Sequence, residues 1–175
     1  MRLLDSLARC VVITAVATSA VVSVALVAPA AGAQTSGYVT TSDNARLFYK
    51  IIGRGPDTLI AIHGGPGMDL ESIYGDFTAL GARHVVIFYD QRGGGKSELP
   101  VDTMRLVAPR QIQDLDELRQ HFKLAKVTLV AHSYGPLLAA SYALAHPDAV
   151  KRMVFFGPVP PYRGDSRHPQ PVDDH

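Results

Sequence analysis

The sequence predicts an α/β fold, a mostly parallel sheet with flanking helices, on three observations. Short, largely apolar runs recur at Leu59–Ile62, His84–Tyr89, Val127–Val130 and Val150–Phe156, the pattern of strands buried on both faces. Segments with helical spacing separate them, and strands alternating with helices imply a parallel sheet with right-handed crossovers. Each of the first three runs ends abruptly in a loop rich in glycine.

Composition narrows the function classes. The 175 residues carry 17 Lys+Arg against 16 Asp+Glu, a net charge of +1, so no broad basic face is available for nucleic acid. One cysteine excludes an internal disulfide scaffold, and 15 Gly with 12 Pro are too few for a low-complexity chain. The length suits a single domain of modest size.

The first segment reads as an address. Arg2 and Arg9 outweigh Asp5, Cys10 to Val27 is uncharged, and Ala31-Gly32-Ala33 is a small-x-small site. These features predict a signal peptide over 1–33, cleaved after Ala33, and a secreted or periplasmic protein. The alternative is an uncleaved N-terminal membrane anchor, because the apolar run approaches the ~20 residues that span a bilayer. Membrane contact is expected through this segment alone. Cleavage would remove Cys10, so the exported domain would rely on its core rather than on disulfides.

The remaining layout is the body of the domain over 34–162 and an irregular tail over 163–175. Tyr38–Thr41 and Leu47–Ile52 read as strands around the turn-forming Ser42-Asp43-Asn44. After the strand Leu59–Ile62 a helix is expected near Glu71–Leu80, and then the strand His84–Tyr89. Ile112, Leu115, Leu118 and Phe122 lie at helical spacing within Arg110–Phe122, with acids early and His121 and Lys123 late. The strand Val127–Val130 leads into a small-residue helix over Leu137–Ala145, which Pro147 stops. Val150–Phe156 is the last strand, broken by Gly157 and the prolines after it. The tail is polar and proline-rich, without strand character.

The loops at strand ends carry the chemistry, because ligands in such sheets bind beyond the carboxyl ends of the strands. Ala131-His132-Ser133-Tyr134-Gly135 places a serine between a strand and a helix. A tight turn there forces strained backbone angles on Ser133 and demands small neighbours, here Ala131 and Gly135. It would project the Ser133 hydroxyl above the sheet and set the Tyr134 N–H at a helix N-terminus, able to stabilise an oxyanion. His63-Gly64-Gly65-Pro66-Gly67 can supply a second donor, the Gly65 N–H, because glycines let that backbone approach closely. His63 is expected to brace this loop rather than act as a base.

Asp90-Gln91-Arg92-Gly93-Gly94-Gly95-Lys96-Ser97 imitates a phosphate-binding loop, but Asp90 stands where that pattern requires its first glycine. A structural turn is the better account, with Asp90 and Arg92 bracing neighbouring loops by charge-assisted hydrogen bonds. The histidines show no HExxH spacing and no dinucleotide motif is complete, so neither metal nor organic cofactor is expected.

Taken in order, HGGPG, DQRGGGKS and AHSYG resemble the α/β-hydrolase superfamily, and within it most closely the proline iminopeptidase family. The likeness covers roughly Tyr38 to Tyr162. It implies an α/β-hydrolase fold with Ser133 as nucleophile and the Gly65 and Tyr134 N–H groups as the oxyanion hole. The elbow departs from the family's usual Gly-Gly-Ser-Trp-Gly. A serine at this position argues against epoxide-hydrolase chemistry, which in relatives uses a carboxylate there.

In this superfamily the triad runs Ser, then Asp or Glu, then His. After Ser133 the chain offers His146 and Asp148 at the far end of a helix, and otherwise only Asp165, His168, Asp173, Asp174 and His175 in the tail. None can be argued into the place of the base. The expectation is therefore the N-terminal part of the fold, truncated after the strand that follows the nucleophile helix. The expected activity is that of an aminopeptidase-type serine hydrolase acting on a small peptide or ester. The alternatives are a non-catalytic fragment and an esterase of the same fold. Oligomeric state is not written in the sequence.

Overall fold

The computed structural model describes residues 34–65, 67–102 and 106–159. The predicted leader and the tail from 163 onward lie outside the described residues. Among the described residues six strands form one sheet: β1 (Thr35–Thr40), β2 (Arg46–Gly53), β3 (Thr58–Ile62), β4 (Val85–Tyr89), β5 (Val127–His132) and β6 (Val150–Phe156). The strand order is β1-β2-β4-β3-β5-β6. β1 and β2 form an antiparallel hairpin, and β2 also runs antiparallel to β4. The pairs β4–β3, β3–β5 and β5–β6 are parallel, so the expected mostly parallel sheet is what forms.

The α-helices among the described residues are α1 (Glu71–Phe77), α2 (Ala108–His121) and α3 (Gly135–Ala145), which cover the sheet. Strand alternation sorts the core into two layers. Ile60, Ile62, Ile87, Tyr89 and Leu129 meet Leu115 and Leu118 of α2 and Leu138 and Tyr142 of α3. Leu59, Ala61, Val86, Phe88 and Val130 pack on the other face against Ile73 and Phe77 of α1. Strands with apolar residues on both faces therefore read as continuous hydrophobic runs.

Helix boundaries depart from expectation for local reasons. Pro109 and Pro136 fit the first turn of a helix, where no N–H partner is needed, so α2 and α3 start before Arg110 and Leu137. The helix expected to reach Leu80 ends as α-helix at Phe77 and tightens into a 3-10 segment over Thr78–Ala82. The Thr78 hydroxyl donates to the Gly75 carbonyl at 2.9 Å, competing with the regular ladder.

β6 has the apolar composition of a strand that needs cover on both faces, and without that cover Met153, Val154, Phe155 and Phe156 are each more than 40 % exposed. Among the described residues β6 has a neighbour on one side only. Composition alone makes it resemble β3 and β5; burial depends on what packs against the strand. No helix among the described residues is long and apolar enough to cross a membrane.

Candidate active site

Because β3, β4 and β5 are parallel neighbours, the loops that follow them converge at one end of the sheet. Ser133 sits between β5 and α3 with φ at +57°, a left-handed angle that is uncommon for a residue with a side chain. The strain predicted for this turn is present. It is held by its neighbours: the Ser133 N–H donates to the Phe156 carbonyl at 3.1 Å, and the Val159 N–H donates to the Ser133 carbonyl at 2.9 Å. Gly135 must be small, since a Cβ there would lie 2.6 Å from the Ile62 carbonyl oxygen. Ala131 is fully buried, paired with Ile62 across the sheet, so the departure from glycine is accommodated.

Tyr134 caps the N-terminus of α3, an 11-residue helix, so its N–H lies at the positive end of that helix. From the β3 side, Gly64 comes up against Ser133: a Cβ on Gly64 would stand 3.0 Å from the Ser133 Cβ and 3.3 Å from its Oγ. Gly65, the predicted second donor, follows with φ at +127°. The predicted residues Ser133, Tyr134 and the Gly64–Gly65 stretch are thus brought together by the topology.

His63 braces the loop, as expected. It is 1 % exposed, its Nε2 accepts the Gln91 N–H at 3.0 Å, and its Nδ1 lies 2.6 Å from the Gly64 carbonyl oxygen. Gln91 returns a bond from its side-chain amide to the His63 carbonyl at 2.8 Å. Burial pushes the His63 pKa below its ordinary value, while the Gly64 carbonyl, Asp90 and Asp69 pull it back.

The loop after β4 is the structural turn predicted for it. Asp90 is buried, and its carboxylate accepts the Leu70 N–H and the Lys96 N–H, each at 2.7 Å, tying the loops after β3 and β4 to one anion. The Ser97 hydroxyl donates to the Asp90 carbonyl at 2.6 Å. Arg92 has a fully buried side chain and makes a forked contact with Asp114 of α2 at 2.8 and 2.5 Å. It makes a second with Asp43 of the β1–β2 turn at 2.9 and 3.0 Å. The Arg92 hydrogen bonds hold the Asp43 carboxyl well below the usual carboxylate range.

His132 ends β5 beside Ser133. His146 stacks on Tyr142 at 4.9 Å between ring centroids, at the opposite end of α3 from Ser133, and Asp148 lies beyond it in a 3-10 turn. Sequence reasoning missed three participants. The contact of Gly64 with Ser133, and the roles of Gln91 and Asp114, depend on long-range placement; the adjacency of Gln91 to Asp90 and Arg92 is the one available signal.

Residues 57–173 match the family described as the alpha/beta hydrolase fold. A proline iminopeptidase of Heyndrickxia coagulans is 38% identical over 125 residues, covering 71% of this chain and 43% of that protein. Among solved structures, the proline iminopeptidase-related protein of Thermus thermophilus is 26% identical with a TM-score of 0.66, over 72% of this chain and 45% of that one. A Vigna radiata epoxide hydrolase mutant is likewise 26% identical with a TM-score of 0.64, over 70% of this chain and 38% of that one. The chain spans about two fifths of the length of the curated relatives it matches, as with the 43% of the Heyndrickxia protein.

Proposed function

The chain belongs to the α/β-hydrolase fold family, and from that premise we propose that it carries the nucleophile and oxyanion donors of an aminopeptidase-type serine hydrolase. The observation that carries the reading is Ser133 held at φ +57° between a parallel strand and a helix N-terminus, with Gly64 against its side chain. The likeness to a proline iminopeptidase supports peptides with an N-terminal proline as the substrate class, with small esters as the neighbouring possibility.

In the proposed reaction the Ser133 Oγ attacks the scissile carbonyl carbon and its proton passes to a general base outside the described residues. The carbonyl oxygen becomes an anion stabilised by the Gly65 and Tyr134 N–H groups. Collapse of the tetrahedral adduct breaks the C–N bond, and the protonated base returns its proton to the leaving amine. Water, deprotonated by the same base, then hydrolyses the acyl-enzyme. No metal or organic cofactor enters this scheme.

A second reading is a non-catalytic domain of the same fold. It draws on the position of His146 and Asp148, the only His and Asp described after Ser133, which lie away from the elbow at the far end of α3. One experiment separates the two: incubate the protein with a fluorophosphonate probe and map the adduct by peptide mass spectrometry. In a protein that supplies the general base, an adduct on Ser133 with turnover of a prolyl substrate is the expected result; residues 34–175, among which no base is identified, should show no turnover. No adduct and no turnover would leave the second reading standing.

We also propose export, with residues 1–33 removed as a signal peptide. N-terminal sequencing of material collected outside the cytoplasm should begin at Gln34; a start at Met1 would overturn cleavage.

A further inference from the structure

We infer that His63 is a positioning residue that sets the direction of the oxyanion donor, by fixing the Gly64–Gly65 peptide through its Nδ1–H. The inference rests on the proposed serine-hydrolase reading for its purpose, and on hydrogen-bond geometry for its content. Nε2 receives a backbone N–H from Gln91 at 3.0 Å, and only an unprotonated ring nitrogen can accept it. The imidazole proton therefore resides on Nδ1, which faces the Gly64 carbonyl oxygen at 2.6 Å and donates to it. Gln91 secures the arrangement a second time, its side-chain amide donating to the His63 carbonyl at 2.8 Å.

The consequence follows from peptide planarity. In a trans peptide the C=O and the N–H point in opposite directions, so holding the Gly64 oxygen toward the imidazole aims the Gly65 N–H away from it. The strand order is β4-β3-β5. His63 leaves the end of β3 and bonds Gln91 after β4, whereas Ser133 follows β5. Turning away from the imidazole thus means turning toward the Ser133 side, where a Cβ on Gly64 would stand 3.0 Å from the Ser133 Cβ. Gly65 itself has φ at +127°, an angle open to glycine. Asp90 and Asp69 are the charged groups near the ring, and neither is hydrogen-bonded to it. The Gln91 side-chain nitrogen also stands 3.3 Å from Nδ1, but that amide donates to the His63 carbonyl at 2.8 Å, and the Gly64 oxygen at 2.6 Å is the nearer partner of Nδ1.

The test has two arms on the full chain. In the first, long-range 1H–15N correlation of the imidazole reads the tautomer directly, with no variant and no turnover required. A protonated Nδ1 and a bare Nε2 near neutral pH are expected; a protonated Nε2 would overturn the inference. In the second arm, His63→Asn retains a donor near Nδ1, while His63→Gln retains an acceptor near Nε2 and His63→Ala retains neither. The Gly65 amide resonance should hold in His63→Asn and move in the other two. Fluorophosphonate labelling of Ser133 should stay within about threefold of the parent in His63→Asn and fall about tenfold in His63→Gln and His63→Ala. A Gly65 amide unmoved in His63→Ala, or labelling equal in the Gln and Asn variants, would overturn the positioning role. A parent that does not label at Ser133 would count against the serine-hydrolase reading, while the tautomer and the Gly65 resonance would still decide this one.

Discussion

Gly64 lies against the side chain of Ser133 so closely that a Cβ on the glycine would stand 3.0 Å from the serine Cβ and 3.3 Å from its Oγ. The loop after β3 and the turn after β5 are therefore fitted to each other at the atom proposed to react. Gly64→Ala should push Ser133 by a few tenths of an ångström and cost about 1 kcal/mol of stability as overpacking. Because a displacement of about 1 Å can cost 10²-fold in rate, labelling of Ser133 should slow about tenfold. Urea midpoints and labelling rates measured side by side check this, and labelling unchanged in Gly64→Ala would contradict it.

Ser133 itself stores strain. Its φ of +57° is open to glycine but unfavourable for any residue with a Cβ. Ser133→Gly should therefore be more stable than Ser133→Ala by about 1 kcal/mol, after the greater flexibility of glycine in the unfolded chain is set against the relief. Both variants should fail to label. Equal urea midpoints would mean that the elbow carries no strain.

Arg92 is the strongest tie beneath the site. It joins the β1–β2 turn, the loop after β4 and α2 through Asp43 and Asp114. Arg92→Met would remove the cation that lies between these two carboxylates, one of them buried, and should destabilise the fold by about 3 kcal/mol. Arg92→Lys should recover only part of this, because an ammonium cannot fork to two carboxylates. Chemical denaturation of the three proteins is the check.

His63 gives the fold a pH dependence of known sign. Burial holds its pKa below the ordinary 6.5, so on acidification the unfolded chain takes up the proton first. The unfolded state then binds more protons than the folded one, and stability falls as pH drops below about 6.5. His63→Asn should remove this part of the slope. Urea midpoints at about pH 5 and about pH 7.5 for both proteins measure it, and a parent slope unchanged in His63→Asn would contradict it.

Much of this architecture is legible in the sequence because its signals are local. Buried parallel strands read as short apolar runs, glycine clusters mark the loops after β3 and β4, and Gly135 marks the turn after β5. The elbow is legible because a serine between small neighbours at a strand–helix junction has few other uses. The partners of Arg92 are not, since Asp43 and Asp114 stand 49 and 22 residues away in sequence and meet it only when the sheet forms. The exposure of β6 is legible only from topology, because Met153 to Phe156 have the composition of a core strand. The contact between Gly64 and Ser133 crosses from β3 to β5 and has no local trace.

The central claim is that Ser133 is the nucleophile, and covalent labelling tests it most directly. Treat the protein and its Ser133→Ala variant with a fluorophosphonate, digest both, and locate the added mass. For a protein that supplies the general base, the account predicts a single adduct on the peptide that contains Ser133, absent from the variant, together with loss of prolyl-substrate hydrolysis by several orders of magnitude. An adduct on another residue, or hydrolysis that survives Ser133→Ala, would contradict it.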